Sequence, residues 1–437
     1  MRIGWFTPFS SRSAIARFSR AVVGELSKIA NVEICHFSND DLQQTTVPVL
    51  HFSSAAAVSE NVFSRYDLVV YNFGNHLPFH GEIYLLSRRL PGICILHDFV
   101  MHHFFAEHLL EHLNSPGTYS LVMERLYGEA GRISPEARIW ESDEVVQYPM
   151  FEEVIRGALG VVTHSLFFAE RVKEAFGGPT RRIALAYDAP QEVAMKRGEL
   201  GVADDDILIV TVGHANPNKR IEDVINALGQ IGDSARRVSY AVVGSCPAVY
   251  EERLRGVARA NALEDRVHFL GHVPDDVLRS YLANADICVN LRFPSFEGAS
   301  ASVIEEMLCG KPVIVNDTGF FSELPDACVA RVSLARHGEL VTQLRRLVTE
   351  PEVRARIGAN ARQFANSEFR PSRYAAEILD FAWEARSAFP LLRLADQVAV
   401  ELNRMGVTRG KRIVDELATG MNQFFCAEKS GTPLWRI

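Results

Sequence analysis

Residues 286–325, DICVNLRFPSFEGASASVIEEMLCGKPVIVNDTGFFSELP, decide the fold. An apolar run at 287–291 reads as a strand and leads into a loop carrying Glu297. A helix-like stretch with Glu305 and Glu306 follows, Gly310, Lys311 and Pro312 break it, and Val313, Ile314 and Val315 read as a second strand. The pattern is a βαβ unit with its polar residues where the first strand ends. In open parallel sheets ligands bind beyond the carboxyl ends of the strands, so Glu297 points at a site and not at a core. Eight positions on, Glu305 falls just inside the helix. Two carboxylates so placed can hold two hydroxyl-rich parts of one ligand while the helix N-terminus between them faces an anion. A phosphate flanked by sugar hydroxyls suits that layout.

Composition sets the bounds. A chain of 437 residues exceeds one hydrophobic core and predicts two domains. Its 47 % hydrophobic and 23 % charged content is that of a soluble globular protein. A net charge of −8 without a long basic block argues against a nucleic-acid partner. Seven cysteines are scattered without CxxC or Cys/His spacing, mostly inside apolar runs, as small buried hydrophobes of a reducing compartment. No apolar run reaches membrane-spanning length, and the first five residues begin a strand and not a signal peptide. The expected location is the cytoplasm, with peripheral contact on the inner face of the plasma membrane as an extension. That extension rests on Arg12, Arg17, Arg20 and Lys28, interleaved with Phe9, Ile15, Phe18 and Val22 in the first helix. The alternative is a helix whose apolar face packs on the sheet.

Outward from the central motif, strand-like runs fall at 3–6, 67–71, 92–96 and 159–163, with a helix at 14–29. Residues 100–150 read as a helical insertion. Three further strands (207–212, 239–243, 266–270) precede the opening motif, and helical sequence resumes at 370. The predicted class is α/β, two doubly wound Rossmann-like halves. The domains are 1–190, 191–370, and a return helix with helical tail at 371–437.

The Glu297/Glu305 spacing, followed by Gly310-Lys311-Pro312 and a Val-Ile-Val strand, resembles the signature of retaining glycosyltransferases of family 4, the group 1 enzymes with the GT-B fold. That resemblance covers about residues 1–385 and also suggests a bacterial polysaccharide-type subgroup. It implies two Rossmann-like domains facing a central cleft, with a C-terminal helical extension. It also implies that Glu297 contacts the donor sugar, Glu305 the ribose, and the backbone of Gly298, Ala299 and Ser300 the diphosphate. The family has a Gly-Arg pair with a Lys five positions later, both cations on the diphosphate. Lys219 falls on the Lys position, but His214 stands where Arg is usual and supplies at most one donor. Gly244 and Val273 lie in the strand-end loops where the family places the nucleoside base.

On the acceptor side, His97 ends an apolar run beside Asp98 and should project from a strand tip. As a neutral imidazole it can hydrogen-bond a sugar hydroxyl or assist proton transfer. A structural histidine tied by Asp98 is the competing reading. Asn75 ends another strand, and the resemblance places it at the sugar end of the cleft. Ser13 and Ala14 occupy the first strand-to-helix turn, where the family often has glycines under the donor phosphate; with none here, a positive φ is costly and the loop departs from the family's in detail. His97, His102 and His103 are poorly spaced for a metal, and no Asp-x-Asp motif sits at a strand end. Neither a metal nor a cofactor is expected, the nucleotide sugar (UDP- or GDP-linked) being the substrate. The function so implied is retaining, metal-independent transfer of a sugar, with His97 and Glu297 as the catalytic pair, to a glycan or lipid-linked acceptor in surface polysaccharide synthesis. A GT-B epimerase or phosphorylase, and a non-catalytic glycosyltransferase-like scaffold, are the rival readings.

Overall fold

The computed structural model describes residues 1–189, 195–232, 237–336 and 338–406. They form two compact units. The first comprises Met1–Ala184, Phe296–Gly298 and the chain from Pro371; the second comprises Leu185–Ser295 and Ala299–Arg370. The boundary expected between 190 and 191 lies outside the described residues, as do tail residues 407–437 with Cys426.

The first unit holds a seven-stranded sheet: β1 (Arg2–Phe6), β2 (Asn31–His36), β3 (Val49–His51), β4 (Leu68–Phe73), β5 (Ile93–Leu96), β6 (Gly160–Thr163) and β7 (Thr180–Arg182). Their order is β3-β2-β1-β4-β5-β6-β7, every pair parallel. The second unit holds six: β8 (Ile207–Val212), β9 (Val238–Val243), β10 (Val267–Gly271), β11 (Ile287–Asn290), β12 (Val313–Asn316) and β13 (Ala330–Val332). The order is β10-β9-β8-β11-β12-β13, again all parallel. Both sheets follow the doubly wound order, which reverses between β1 and β4 and between β8 and β11, and at such switch points a crevice opens beyond the strand tips.

Four strands, β2, β3, β7 and β13, were not expected from the apolar runs. β2 is broken by Asn31 and Glu33, and the others are only three residues long. The edge strands β3, β7 and β13, and β2 next to the edge, lack the continuous hydrophobic run of strands buried on both faces. The central strands show that run plainly: β4, β9, β11 and β12 are buried at every residue.

The helix Ala14–Leu26 starts where Ser13 Oγ accepts from Ala16 N–H (3.3 Å). It buries Phe18, Val22, Val23 and Leu26 at helical spacing, and Phe9 is fully buried beside it. The apolar residues of this helix therefore belong to the core and not to a lipid surface, apart from the partly buried Ile15. Arg12 remains exposed and pairs with Asp40 at 2.5 Å. Residues 100–150 are helical only in part: Pro116–Tyr127 is a regular helix, but 128–147 runs through short 3-10 turns. The return helix Pro371–Arg404 buries Tyr374, Ile378 and Phe381 in the first unit. Gly160 makes room for it, since a Cβ there would lie 2.8 Å from the Phe381 ring.

Two helical glycines give opposite expectations. In Ala248–Ala260, Gly256 has open space around it; in Pro351–Glu368, a Cβ on Gly358 would lie 2.1 Å from the Gly310 carbonyl oxygen. Gly256→Ala should stabilise the protein by about 0.5–1 kcal/mol through helix propensity. Gly358→Ala gains the same propensity yet should lower the thermal midpoint, because backbone must move. Thermal unfolding of the two variants checks this, and equal shifts would refute the packing of Gly358 on Gly310.

Candidate functional site

In the second unit the polar residues gather at the β8/β11 switch point. Gly213, at φ +88°, turns the chain out of β8, and a Cβ there would meet Lys219 Nζ at 2.8 Å. Lys219 is 6 % exposed, and its ammonium donates to the Val212 carbonyl. It is therefore a buried cation at a strand tip and not a solvated lysine at a helix start. His214 is exposed, its Nδ1 2.8 Å from Ser245 Oγ. Gly244 has φ +149°, and a Cβ on it would sit 2.4 Å from the Gly213 carbonyl oxygen, so only glycine lets the tips of β8 and β9 meet. Val273 lies partly buried in the turn after β10. Beyond β11, Ala299 and Ser300 are buried, Ser300 at the N-cap of the helix Ala301–Leu308, with Glu305 partly buried within it.

The residue that sequence reasoning passed over is Glu306. It is fully buried, and Asn290 Nδ2 donates to its two oxygens at 3.0 and 3.3 Å and to Ser302 Oγ at 2.8 Å. Burial raises its carboxyl pKa to about 8, against the lowering effect of Asn290, Arg292 and Lys219. Asn290 Oδ1 is buried without a hydrogen-bond partner. The amide of Asn316 clamps the backbone of Arg292, accepting its N–H at 2.7 Å and donating to its carbonyl at 2.9 Å. A signal existed: 306 shares the helix face of Val303 and Met307, where an acid has no solvent.

The first unit gathers a second constellation at the tips of β4, β5 and β6. Phe296–Gly298 pairs here with the segment after β5: Gly298 N–H donates to the His97 carbonyl at 2.8 Å, Phe99 N–H to the Phe296 carbonyl at 3.0 Å, and the backbones of Asp98 and Glu297 form an antiparallel β-bridge. The Gly298 amide, expected to face a diphosphate, is thus engaged within the protein; a Cβ at 298 would lie 2.8 Å from the His97 oxygen. Asp98 does not tie the His97 ring. It accepts from Asn75 N–H at 2.8 Å, and burial with Glu297 nearby raises its pKa to about 6. The ring is held by Asn72, whose Oδ1 lies 3.0 Å from His97 Nε2. Asn75, expected to meet sugar hydroxyls, holds its own loop: Oδ1 accepts Phe104 N–H (2.8 Å) and Nδ2 lies 3.1 Å from His103 Nδ1. Ser13 is buried as a helix cap, and Ala14 is exposed. His102 has both nitrogens occupied, by the Tyr148 carbonyl (2.6 Å) and the Tyr119 hydroxyl (2.7 Å), and burial lowers its pKa to about 4. Among the described residues no group of three or more His, Cys, Asp or Glu is arranged to hold a metal ion.

The model of the family "Glycosyl transferases group 1" matches residues 193–364. These residues form a group 1 glycosyltransferase domain. The chain is 27 % identical over 176 residues to an uncharacterized glycosyltransferase of Methanocaldococcus jannaschii, covering 38 % of this chain and 44 % of that one. It is also 27 % identical over 226 residues to a GDP-mannose-dependent monoacylated phosphatidylinositol monomannoside mannosyltransferase of Corynebacterium glutamicum, covering 47 % and 57 %. The alignment thus spans about half the length of these curated relatives. Among solved structures, HepE of Anabaena in complex with UDP and glucose superposes with a TM-score of 0.61 at 20 % identity, covering 87 % of this chain and 99 % of that one. The two α/β units with C-terminal helices are the GT-B fold.

Glu306 carries a signed pH dependence. Its pKa is about 8 folded and about 4.3 unfolded. Between those values the folded state holds the extra proton, so its contribution to stability falls as pH rises from about 4 to about 8. Glu306→Gln, which mimics the protonated acid, should gain thermal stability relative to wild type on going from pH 5 to pH 8. A variant that instead loses more at pH 8 would mean that Glu306 is an ion-paired carboxylate.

Proposed function

We propose that the protein is a retaining glycosyltransferase that moves a sugar from a UDP- or GDP-linked donor to a glycan or lipid-linked acceptor in surface polysaccharide synthesis. The observation that carries this reading is the buried Lys219 at the β8/β11 switch point, on the glycine-shaped turn that brings the tips of β8 and β9 together. A cation desolvated at the carboxyl end of a parallel sheet suits an anionic ligand far better than a lysine in water. In this reading the second unit holds the donor. Lys219 and the N-terminus of Ala301–Leu308 stabilise charge building on the leaving diphosphate, Glu305 takes the ribose, and Glu297 orients the sugar. His97, neutral because burial and two nearby histidines push its pKa well down, accepts a hydrogen bond from a hydroxyl. His214 adds at most one weak donor where the family has an arginine.

Reaction on the same face of the sugar would pass the acceptor proton to the departing phosphate, with neither metal nor cofactor. The protein would work in the cytoplasm. Among the described residues no helix is long and apolar enough to cross a membrane. Peripheral contact with the inner face of the plasma membrane would rest on exposed basic groups such as Arg12, since the neighbouring apolar residues are in the core.

Lys219→Ala and Glu305→Ala should leave the fold intact and weaken binding of UDP or GDP, each by about 1.5–3 kcal/mol, the range for a hydrogen bond to a charged group. Calorimetry with both nucleotides measures it, and undiminished affinity in the two variants would remove the donor from this place. Sugar release from UDP-glucose or GDP-mannose should persist in EDTA. Loss of turnover that Mg²⁺ or Mn²⁺ restores would overturn the metal-free account of the leaving group.

A further inference from the structure

The first unit contains a second histidine beside His97. Strands β5 and β6 are parallel neighbours with Leu96 opposite Thr163, so the next residues, His97 and His164, emerge side by side at the strand tips. Their ring centroids are 4.9 Å apart. His164 is fully buried.

The hydrogen bonds fix where each proton sits. His164 Nδ1 is 3.0 Å from the Ile183 carbonyl, which can only accept, so Nδ1 carries the proton and Nε2 presents a lone pair. That Nε2 is buried and has no hydrogen-bond partner. For His97 the argument passes through Asn72. Its Nδ2 donates to the Phe6 carbonyl at 3.1 Å, which sets the orientation of the amide and leaves Oδ1 as the acceptor facing His97. His97 therefore carries its proton on Nε2, and its Nδ1 is the lone pair. The two rings hold opposite tautomers, each locked by a buried oxygen.

Other elements close around the pair. Phe18, from the helix Ala14–Leu26, meets His97 edge-on at 4.7 Å, His164 at 5.7 Å and Tyr374 of the return helix at 5.0 Å. The Tyr374 hydroxyl is buried without a partner, its ring 5.9 Å from His164. The charged and titratable groups that act on the two imidazoles are His164 and His80 on His97, and Arg182 on His164. All of these are cationic when charged, so each opposes a proton on its neighbour, and burial pushes His164 down to about 4.

We propose that His164 is a positioning residue for His97: packed 4.9 Å from it and itself fixed by the Ile183 carbonyl, the His164 ring holds the His97 imidazole at the angle at which Nε2–H bonds Asn72, so that Nδ1 stays an unprotonated acceptor for a sugar hydroxyl. The proposal rests on the reading of His97 given above. Replacing His164 frees the His97 ring to turn over and to exchange its two nitrogens.

The test reads the imidazole nitrogens by NMR in the full chain labelled with ¹⁵N-histidine. In wild type, His97 should show a protonated Nε2 and a bare Nδ1, and His164 the reverse, at pH 6 to 8. In His164→Gln the ratio of the two His97 tautomers should fall about tenfold toward an even mixture. Tyr374→Phe, which keeps both histidines, should leave it unchanged. His164→Phe serves if the Gln variant fails to fold. A wild-type His97 protonated at Nδ1, or an unaltered tautomer ratio in a folded His164 variant, overturns the proposal. The reading it rests on fails separately, if wild-type protein binds neither UDP nor GDP.

Discussion

Every part of this protein that bears on chemistry depends on one constraint: its two sheets are parallel and covered on both faces. Strands such as β4, β9, β11 and β12 expose nothing along their length. Polar side chains can escape the apolar interior only at the strand tips. Where the strand order reverses, the loops from adjacent tips diverge, and there the charged and hydrogen-bonding residues collect.

Burial at those tips gives the polar residues their character. Lys219 has a backbone oxygen as a partner, Glu306 is driven toward its neutral form, and His97 and His164 are held neutral. A charge in water is screened and worth little; the same charge fixed in a dry strand-end crevice acts strongly on whatever anion or hydroxyl arrives. Asparagines do the fastening. Asn72, Asn75, Asn290 and Asn316 each use both ends of a short amide to tie a loop or a ring to the sheet, or donate twice from one end. Their reach is short and their geometry fixed, so the loops they hold have little freedom.

Much of this was legible in the chain. The βαβ motif around Glu297 and Glu305, the alternation of strands and helices and the position of Lys219 at a strand end all follow from apolar periodicity broken by glycine and proline. The edge strands were not, because three-residue strands leave no periodic trace. Nor were the commitments of individual groups. Asn75 looked like a ligand for hydroxyls and instead caps its own loop; the Gly298 amide looked available and instead bonds the His97 carbonyl.

The sequence by itself determined which residues stand at strand tips, since that depends on local pattern alone. Only the tertiary structure decided which of those tips are neighbours, and hence that Asn290 meets Glu306 and that His97 lies beside His164. Strand order and register are set by long-range packing of buried faces, and a proton's place on a ring is set by the acceptor that packing brings to it. Neither is written in the order of residues around the histidine itself.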